Sequence, residues 1–244
     1  MRPSAHPVRY DVRVGTVQAG TVSDARTIRS ARQALLVFMQ YPSPRILAAQ
    51  LVVLVRIRMH LLAAAGLASL SAWELLIPIA IVLVLWPVQE WLVHKYVLHL
   101  RPRELWGRRF DPHFAKKHRD HHGDPTYLPA VFLPARVLVP LIPPTLAFWW
   151  WVMPTLELGL TAMIAYVGAA LLYEWVHYLS HTNVTPRTGW FRRVRRNHRY
   201  HHFKNEHYWH GFTVPLVDTV FGSNPQPSTV ETSATARTLG VEPE

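Results

Sequence analysis

Between Tyr173 and His202 the chain reads YEWVHYLSH, then a loop with a basic run, then NHRYHH. His177 and His181 stand four apart, and His198, His201 and His202 stand at i, i+3 and i+4. Four residues of α-helix turn about 400° and three about 300°, so each group projects its imidazoles from one helical face. Such a cluster on two faces joined by a loop can hold a metal ion. Neutral imidazole is the commonest side-chain metal ligand, and the sequence has no cysteine to compete with it. A single histidine is ordinarily a surface or core residue; here the pattern repeats upstream.

The upstream set opens with EWLVHKYVLH, which places His94 and His99 in an H-x4-H spacing. Five residues turn about 500°, so on a straight α-helix these two point about 140° apart. They share a site only if they flank it or if the helix unwinds after Leu98. Next comes HRDHH, with His118, His121 and His122 again at i, i+3 and i+4. The order is H-x4-H, H-x2-HH, H-x3-H, H-x2-HH, ten histidines in four clusters. Glu90 lies four before His94 and Glu174 three before His177. A carboxylate there can accept the second imidazole N–H, fixing the tautomer and raising ligand basicity. His113, His207 and His210 fall near the clusters but outside their spacing, and His6 and His60 are unrelated to them. Asp120 and Asp124 read as solvated, Trp209, Phe212 and Phe221 as packing over the histidines, and Asp218 as a candidate tie for the last segment.

Four apolar runs must position these clusters. Ile46–Val55 and Leu61–Ala72 form an interrupted first run, broken by Arg56, Arg58 and His60; a charge at the bilayer centre costs about 2.5–3.5 kcal/mol, so this run either crosses as a strained helix or lies partly in the interface. Leu75–Gln89 continues through Val93, Val137–Leu156 is uncharged but carries four prolines, and Leu158–Tyr173 is the last. About twenty residues span a bilayer core, so the second and fourth runs suffice only by continuing past the lipid, and both continuations carry histidines. Seven Lys/Arg lie in residues 1–45, seven in Arg101–Arg119 and seven in Arg187–Lys204, and none in Val137–Pro186. Two membrane hairpins, with outer turns near Ala68–Ala72 and Met153–Glu157 and every basic segment inside, satisfy the positive-inside rule. Trp149, Trp150 and Trp151 then sit at the outer interface, where an aromatic belt is expected. The net charge of +11 is accounted for by basic segments facing anionic headgroups, and no nucleic-acid motif accompanies it.

The expected architecture is thus all-α and integral to a membrane: about four transmembrane helices in two hairpins, under a cytosolic helical cap that carries the histidines. Residues 1–45 read as a polar, arginine-rich, flexible arm without the apolar core of a cleaved secretory signal, with little structure before Ala31 beyond an amphipathic turn at Ala34–Met39. Residues 46–223 read as the membrane domain and 224–244 as a polar, flexible tail.

The motifs EWLVHKYVLH, HRDHH, EWVHYLSH and NHRYHHF, followed by HYWHGFTVPLVDTVFG, resemble the fatty acid hydroxylase/sterol desaturase superfamily of integral-membrane oxygenases over roughly Trp73–Ser223. The H-x4-H opening and the later H-x3-H look most like its fatty acid/ceramide 2-hydroxylase branch. The resemblance implies a dinuclear non-haem iron centre, with zinc as a substitute in purified protein. Its ligands would be His94, His99, His118, His121, His122, His177, His181, His198, His201 and His202. No stretch here resembles the haem-binding cytochrome b5-like domain fused to some eukaryotic members, which points to a separate electron donor, such as a cytochrome b5-like protein or a ferredoxin with its reductase.

An alkyl C–H bond offers neither an acidic proton nor a leaving group, so acid–base chemistry alone cannot activate it. Imidazole suits iron, zinc and copper, and O₂ chemistry is what such metals bring to a protein. A histidine cap just outside the lipid can take its substrate from the bilayer. The reading is oxygen insertion into a lipid C–H bond, with O₂ as co-substrate and a fatty acyl chain as the expected substrate. The alternatives are a carotenoid or sterol hydroxylase or desaturase of the same superfamily, and a non-enzymatic metal-binding protein or transporter. Transporters place polar ligands at the bilayer midplane, whereas these clusters lie at one end of the helices; a structural zinc site needs four ligands, not ten.

Overall fold

The first apolar run, despite its arginines, is one continuous helix as far as Ala64. In the computed structural model, which describes residues 21–64 and 72–241, it is α2 (Pro42–Ala64), preceded by α1 (Ala31–Phe38). The 23 residues of α2 rise about 35 Å at 1.5 Å per residue, enough for a hydrocarbon core of about 30 Å. Arg58 is buried and Arg56 exposed, so neighbouring arginines on one helix take opposite environments. The second run is α3 (Ala72–Leu92), which passes without a break into a π-helical turn, Val93–Leu98. The others are α6 (Ala135–Val152) and α7 (Leu156–His181). The molecule is an all-α integral membrane protein with, among the described residues, four helices long and apolar enough to cross a bilayer. The first outer turn falls almost wholly on 65–71, outside the described residues.

The bundle is organised by α7, against which α2, α3 and α6 all pack. Leu160, Met163 and Val167 of α7 meet Leu47 and Leu54 of α2, Val82 of α3, and Leu138 and Trp149 of α6 in one buried cluster. The opposite faces stay apolar and exposed, including Val52 and Val53, Leu83 and Val84, and Trp150 and Trp151, as a lipid-facing surface requires.

Beyond one end of the bundle, where α3 and α7 finish, lie α4 (His113–Gly123), α5 (Leu128–Val131), α8 (Gly189–Phe203) and α9 (Leu216–Val220). A short antiparallel hairpin, β1 (Arg103–Leu105) and β2 (Arg108–Phe110), is the one paired sheet among the described residues. Its two-residue turn places Trp106 at φ 50° and Gly107 at φ 71°, the left-handed pair that a type I′ turn demands.

Two segments expected to be flexible are packed instead. Residues 21–45 belong to the folded cap: Ala25, Ile28, Ala34, Val37, Phe38 and Tyr41 are buried with Phe132, Tyr178 and Phe191. The spacing 34, 37, 38, 41 is one helical stripe, and Ser30 caps α1 by accepting Gln33 N–H while Gln33 accepts from Arg29 N–H, a variant of the capping box. Ala25 N–H donates to Thr126 and Leu128 N–H to Ser23, so the segment before α1 is stitched to the cap as well. Residues 1–20 lie outside the described residues. In the tail, 224–241 lies against the cap, with Ala236 and Leu239 buried and the Arg237 guanidinium donating to the Gly123 carbonyl.

Candidate metal centre

Four elements deliver the ten histidines. His94 comes from the π-helical turn and His99 from just after it; His118, His121 and His122 from α4; His177 and His181 from the C-terminal end of α7; His198, His201 and His202 from α8, whose start is capped by Thr188 accepting Phe191 N–H at 3.1 Å. The structure brings all ten together, in two groups of five. One holds His94, His99, His118, His122 and His201; the other holds His121, His177, His181, His198 and His202. Within each group one nitrogen per ring lies within 4.8 Å of all the others.

The grouping cuts across the sequence motifs. Each i, i+4 pair stays together, 118 with 122 and 198 with 202, while the i+3 member crosses to the opposite group. The reason is angular: i and i+4 are about 40° apart around a helix, but i+3 falls about 60° to the other side of i. Two helices facing each other across two sites therefore exchange one ligand each. His94 and His99 share a group because π-helical hydrogen bonding runs i→i+5 and lays the fifth residue over the first.

The rings are prepared as neutral ligands. Burial, reinforced by neighbouring imidazoles, holds His99, His118, His121, His198, His201 and His202 well below the ordinary histidine range. His122 is pushed down to about 3, although the Ala236 carbonyl pulls the other way. Three rings of the first group are oriented by main-chain carbonyls: His94 Nδ1 by His210, His122 Nδ1 by Ala236 and His201 Nδ1 by Tyr208, each at 2.8 Å. A carbonyl only accepts, so each of these Nδ1 atoms carries the hydrogen and each Nε2 presents a lone pair. His122 Nε2 and His201 Nε2 nevertheless face each other at 3.2 Å. Two lone pairs cannot bond to one another; a cation between them resolves the contact. The Nε2 atoms of His94, His99 and His118 are buried with no hydrogen-bond partner among the described residues, which fits the same ion. In the second group the Nε2 atoms of His177 and His121 face at 3.2 Å, those of His198 and His181 at 2.8 Å, and those of His202 and His198 at 3.0 Å.

The two glutamates do not hold histidines. Glu90 Oε1 accepts the backbone N–H groups of Phe212 and Thr213, and its Oε2 accepts Thr213 Oγ1 at 2.6 Å and Trp86 Nε1 at 3.1 Å. Glu174 Oε1 accepts Leu133 N–H at 3.1 Å, tying α7 to the entry of α6. The 212–213 amides and Leu133 N–H occupy the two carboxylates, and the His210 carbonyl takes the His94 Nδ1 that Glu90 could have served. Main-chain carbonyls take the role expected of carboxylates. The sequence offers no signal for this, since any residue type carries a carbonyl. Asp218 does tie the last segment, accepting from Trp91 Nε1, His210 N, Gly211 N and Ser223 Oγ.

His113 pairs with Arg136 at 3.0 Å, outside both groups. His207 is exposed beside Glu206, and His60 is exposed on α2. His210 is buried with its ring 5.3 Å from that of His201. Phe212 packs edge-on against His177 and His198, Phe221 stacks on Trp91, and Trp209 is buried against Tyr200. Two clefts reach the groups: one of about 420 Å³, lined by Lys95, Arg101, His207 and Tyr208, reaches His99, and one of about 210 Å³, lined by Arg26, Arg195, Arg199 and Phe203, reaches His181.

The fold and site define a class: integral-membrane proteins with two five-histidine clusters at one end of the helix bundle. Residues 79–223 match the fatty acid hydroxylase family, more than half of the chain, and the protein belongs to that family. Among curated relatives it is similar to the dihydroceramide fatty acyl 2-hydroxylases FAH1 and FAH2 of Arabidopsis thaliana, at 26% identity over 155 residues and 28% over 145. It is also 24% identical over 144 residues to the fatty acid 2-hydroxylase of Rattus norvegicus. The chain spans 62% and 57% of the plant proteins' lengths and 37% of the rat protein's, and the aligned parts are 62%, 57% and 57% of this chain. Full-length scs7p, of which only the hydroxylase domain is visible, shares the fold with a TM-score of 0.57 at 16% identity, covering 84% of this chain and 70% of that one.

Proposed function

We propose that the protein is a membrane-bound di-iron oxygenase that hydroxylates a fatty acyl chain near its carboxyl end, using O₂ and electrons from a separate donor. The observation that carries this reading is the pair of five-imidazole groups with converging lone pairs, set at one end of four membrane helices. The ten histidines would hold two iron ions, and zinc would substitute in purified protein. When bound, the metal pair supplies the O₂ activation that C–H hydroxylation needs. The protein's own residues do the rest. The carbonyls of His210, Ala236 and Tyr208 hold three rings in the ligating tautomer, burial keeps the imidazoles neutral, and the cap would set them level with the headgroup end of a bilayer lipid. Membership of the fatty acid hydroxylase family and similarity to plant and rat acyl 2-hydroxylases support the acyl chain as substrate and the position next to the carboxyl carbon as the site of attack. The clusters would lie on the cytosolic side, where the basic segments satisfy the positive-inside rule.

Incubation of the membrane protein under ¹⁸O₂ with a reductase-coupled electron donor and acyl lipids tests the reading. One ¹⁸O atom should appear in a hydroxyl of the product. An alkene with no hydroxylated species, or a hydroxyl without label, would overturn oxygen insertion.

A further inference from the structure

The stretch Tyr208–Thr213 crosses the cap as a strap whose five consecutive N–H groups, 209 to 213, are all engaged. Trp209 N–H donates to the Ser223 carbonyl at 2.8 Å, at a left-handed backbone position with φ 58°. His210 N–H and Gly211 N–H donate to Asp218 Oδ1 and Oδ2 at 2.9 and 2.8 Å. Phe212 N–H and Thr213 N–H donate to Glu90. Two of the strap's carbonyls, those of Tyr208 and His210, are the acceptors that orient His201 and His94. Both of these rings belong to the first group. In the second group the Nδ1 atoms of His121, His198 and His202 are buried with no hydrogen-bond partner among the described residues. There is no room to rebuild the strap at its centre: a Cβ on Gly211 would overlap the Val217 side chain and lie 2.9 Å from Asp218 Oδ2.

We propose that Asp218 and Glu90 are positioning residues for the first histidine group, Asp218 for that group alone, acting through the backbone of the 208–213 strap to aim His201 and His94. The inference rests on the metal reading above. It assigns the two buried carboxylates a role that neither plays by touching a histidine ring, and it makes the two metal sites unequal. Asp218 is the cleaner probe, because Glu90 also fixes Phe212, whose ring packs against His177 and His198 of the second group. An asparagine at 218 keeps the shape but presents an NH₂ either to Gly211 N–H or to the donors now served by Oδ1.

The test measures zinc binding by chelator competition on the detergent-solubilised full chain in two backgrounds. In H198A/H202A only the first group remains whole; in H122A/H201A only the second does. Removing such an outer contact typically weakens metal binding about 10–100-fold. Asp218→Asn should therefore weaken zinc at least about tenfold in the first background and leave it within about twofold in the second, with an unchanged elution profile. Gly211→Ala, which pushes the strap away from Val217 and Asp218, should repeat the pattern and serves if Asp218→Asn does not fold. Equal weakening in both backgrounds, or none in either, overturns the inference while leaving the metal reading intact. A wild-type chain that binds no zinc removes both.

Discussion

The rings of His94 and His99 lie 5.1 Å apart, although a straight α-helix would turn them about 140° away from each other. The π-helical turn between them makes up the difference by adding one residue to the turn. Single π turns inside α-helices recur at functional sites, and here the extra residue turns an unsuitable H-x4-H spacing into a convergent pair.

Register through this turn is therefore expected to control the first metal site. Deleting Val97 leaves an H-x3-H spacing that an ordinary α-helix brings to one face, so both metal ions should be retained. Inserting one alanine after Tyr96 moves His99 out of phase, and about one ion per chain should be lost. Metal analysis of purified protein checks both; retention after the insertion would mean that the turn does not set the geometry.

The crossed exchange of ligands makes a sharper expectation. His121→Ala and His198→Ala strike the same group although they come from different motifs, so the double variant should still hold about one ion. His118→Ala with His121→Ala strikes both groups from a single motif and should leave almost none. Residues sharing one site are the ones expected to show non-additive effects. If metal loss instead followed the motifs, the grouping of five and five would be wrong. All of these variants should remain in the membrane, because the bundle core is built from other residues.

Phe38 lies outside the membrane domain as the sequence outlines it, yet its ring contacts Phe132, Trp175 and Tyr178 at centroid distances of 5.9, 5.0 and 5.7 Å. Phe38→Ala should cost about 3–5 kcal/mol, the range for a buried phenylalanine truncated in a core. Thermal unfolding in detergent measures this, and a melting temperature equal to that of the wild type would return residues 21–45 to the status of an arm.

The cysteine-free sequence allows the orientation to be probed without background. Cysteines replacing Arg108 and Arg193 should resist an impermeant thiol reagent in intact cells, whereas one replacing Thr155, between α6 and α7, should label. Labelling at 108 and 193 from outside would invert the topology.

Much of this protein is legible in its residues taken in order. The apolar runs, the basic segments between them and the four histidine clusters mark the membrane helices, the cap and all ten convergent rings, because each is a matter of local composition or of spacing along one helix. The motif EWLVHKYVLH even poses the question that the π turn answers. What the order of residues could not decide is everything that depends on a second element arriving. The same i+3 histidine can serve its own helix's site or the opposite one, and only the facing of α4 and α8 settles which. Glu90 stands one turn from His94 in sequence, but the passage of the 208–213 strap gives it to backbone amides instead. The acceptors that orient three imidazoles are main-chain carbonyls of Tyr208, His210 and Ala236, groups that every residue possesses. Their position is a property of the tertiary fold alone, because hydrogen bonds to the backbone leave no mark on residue type.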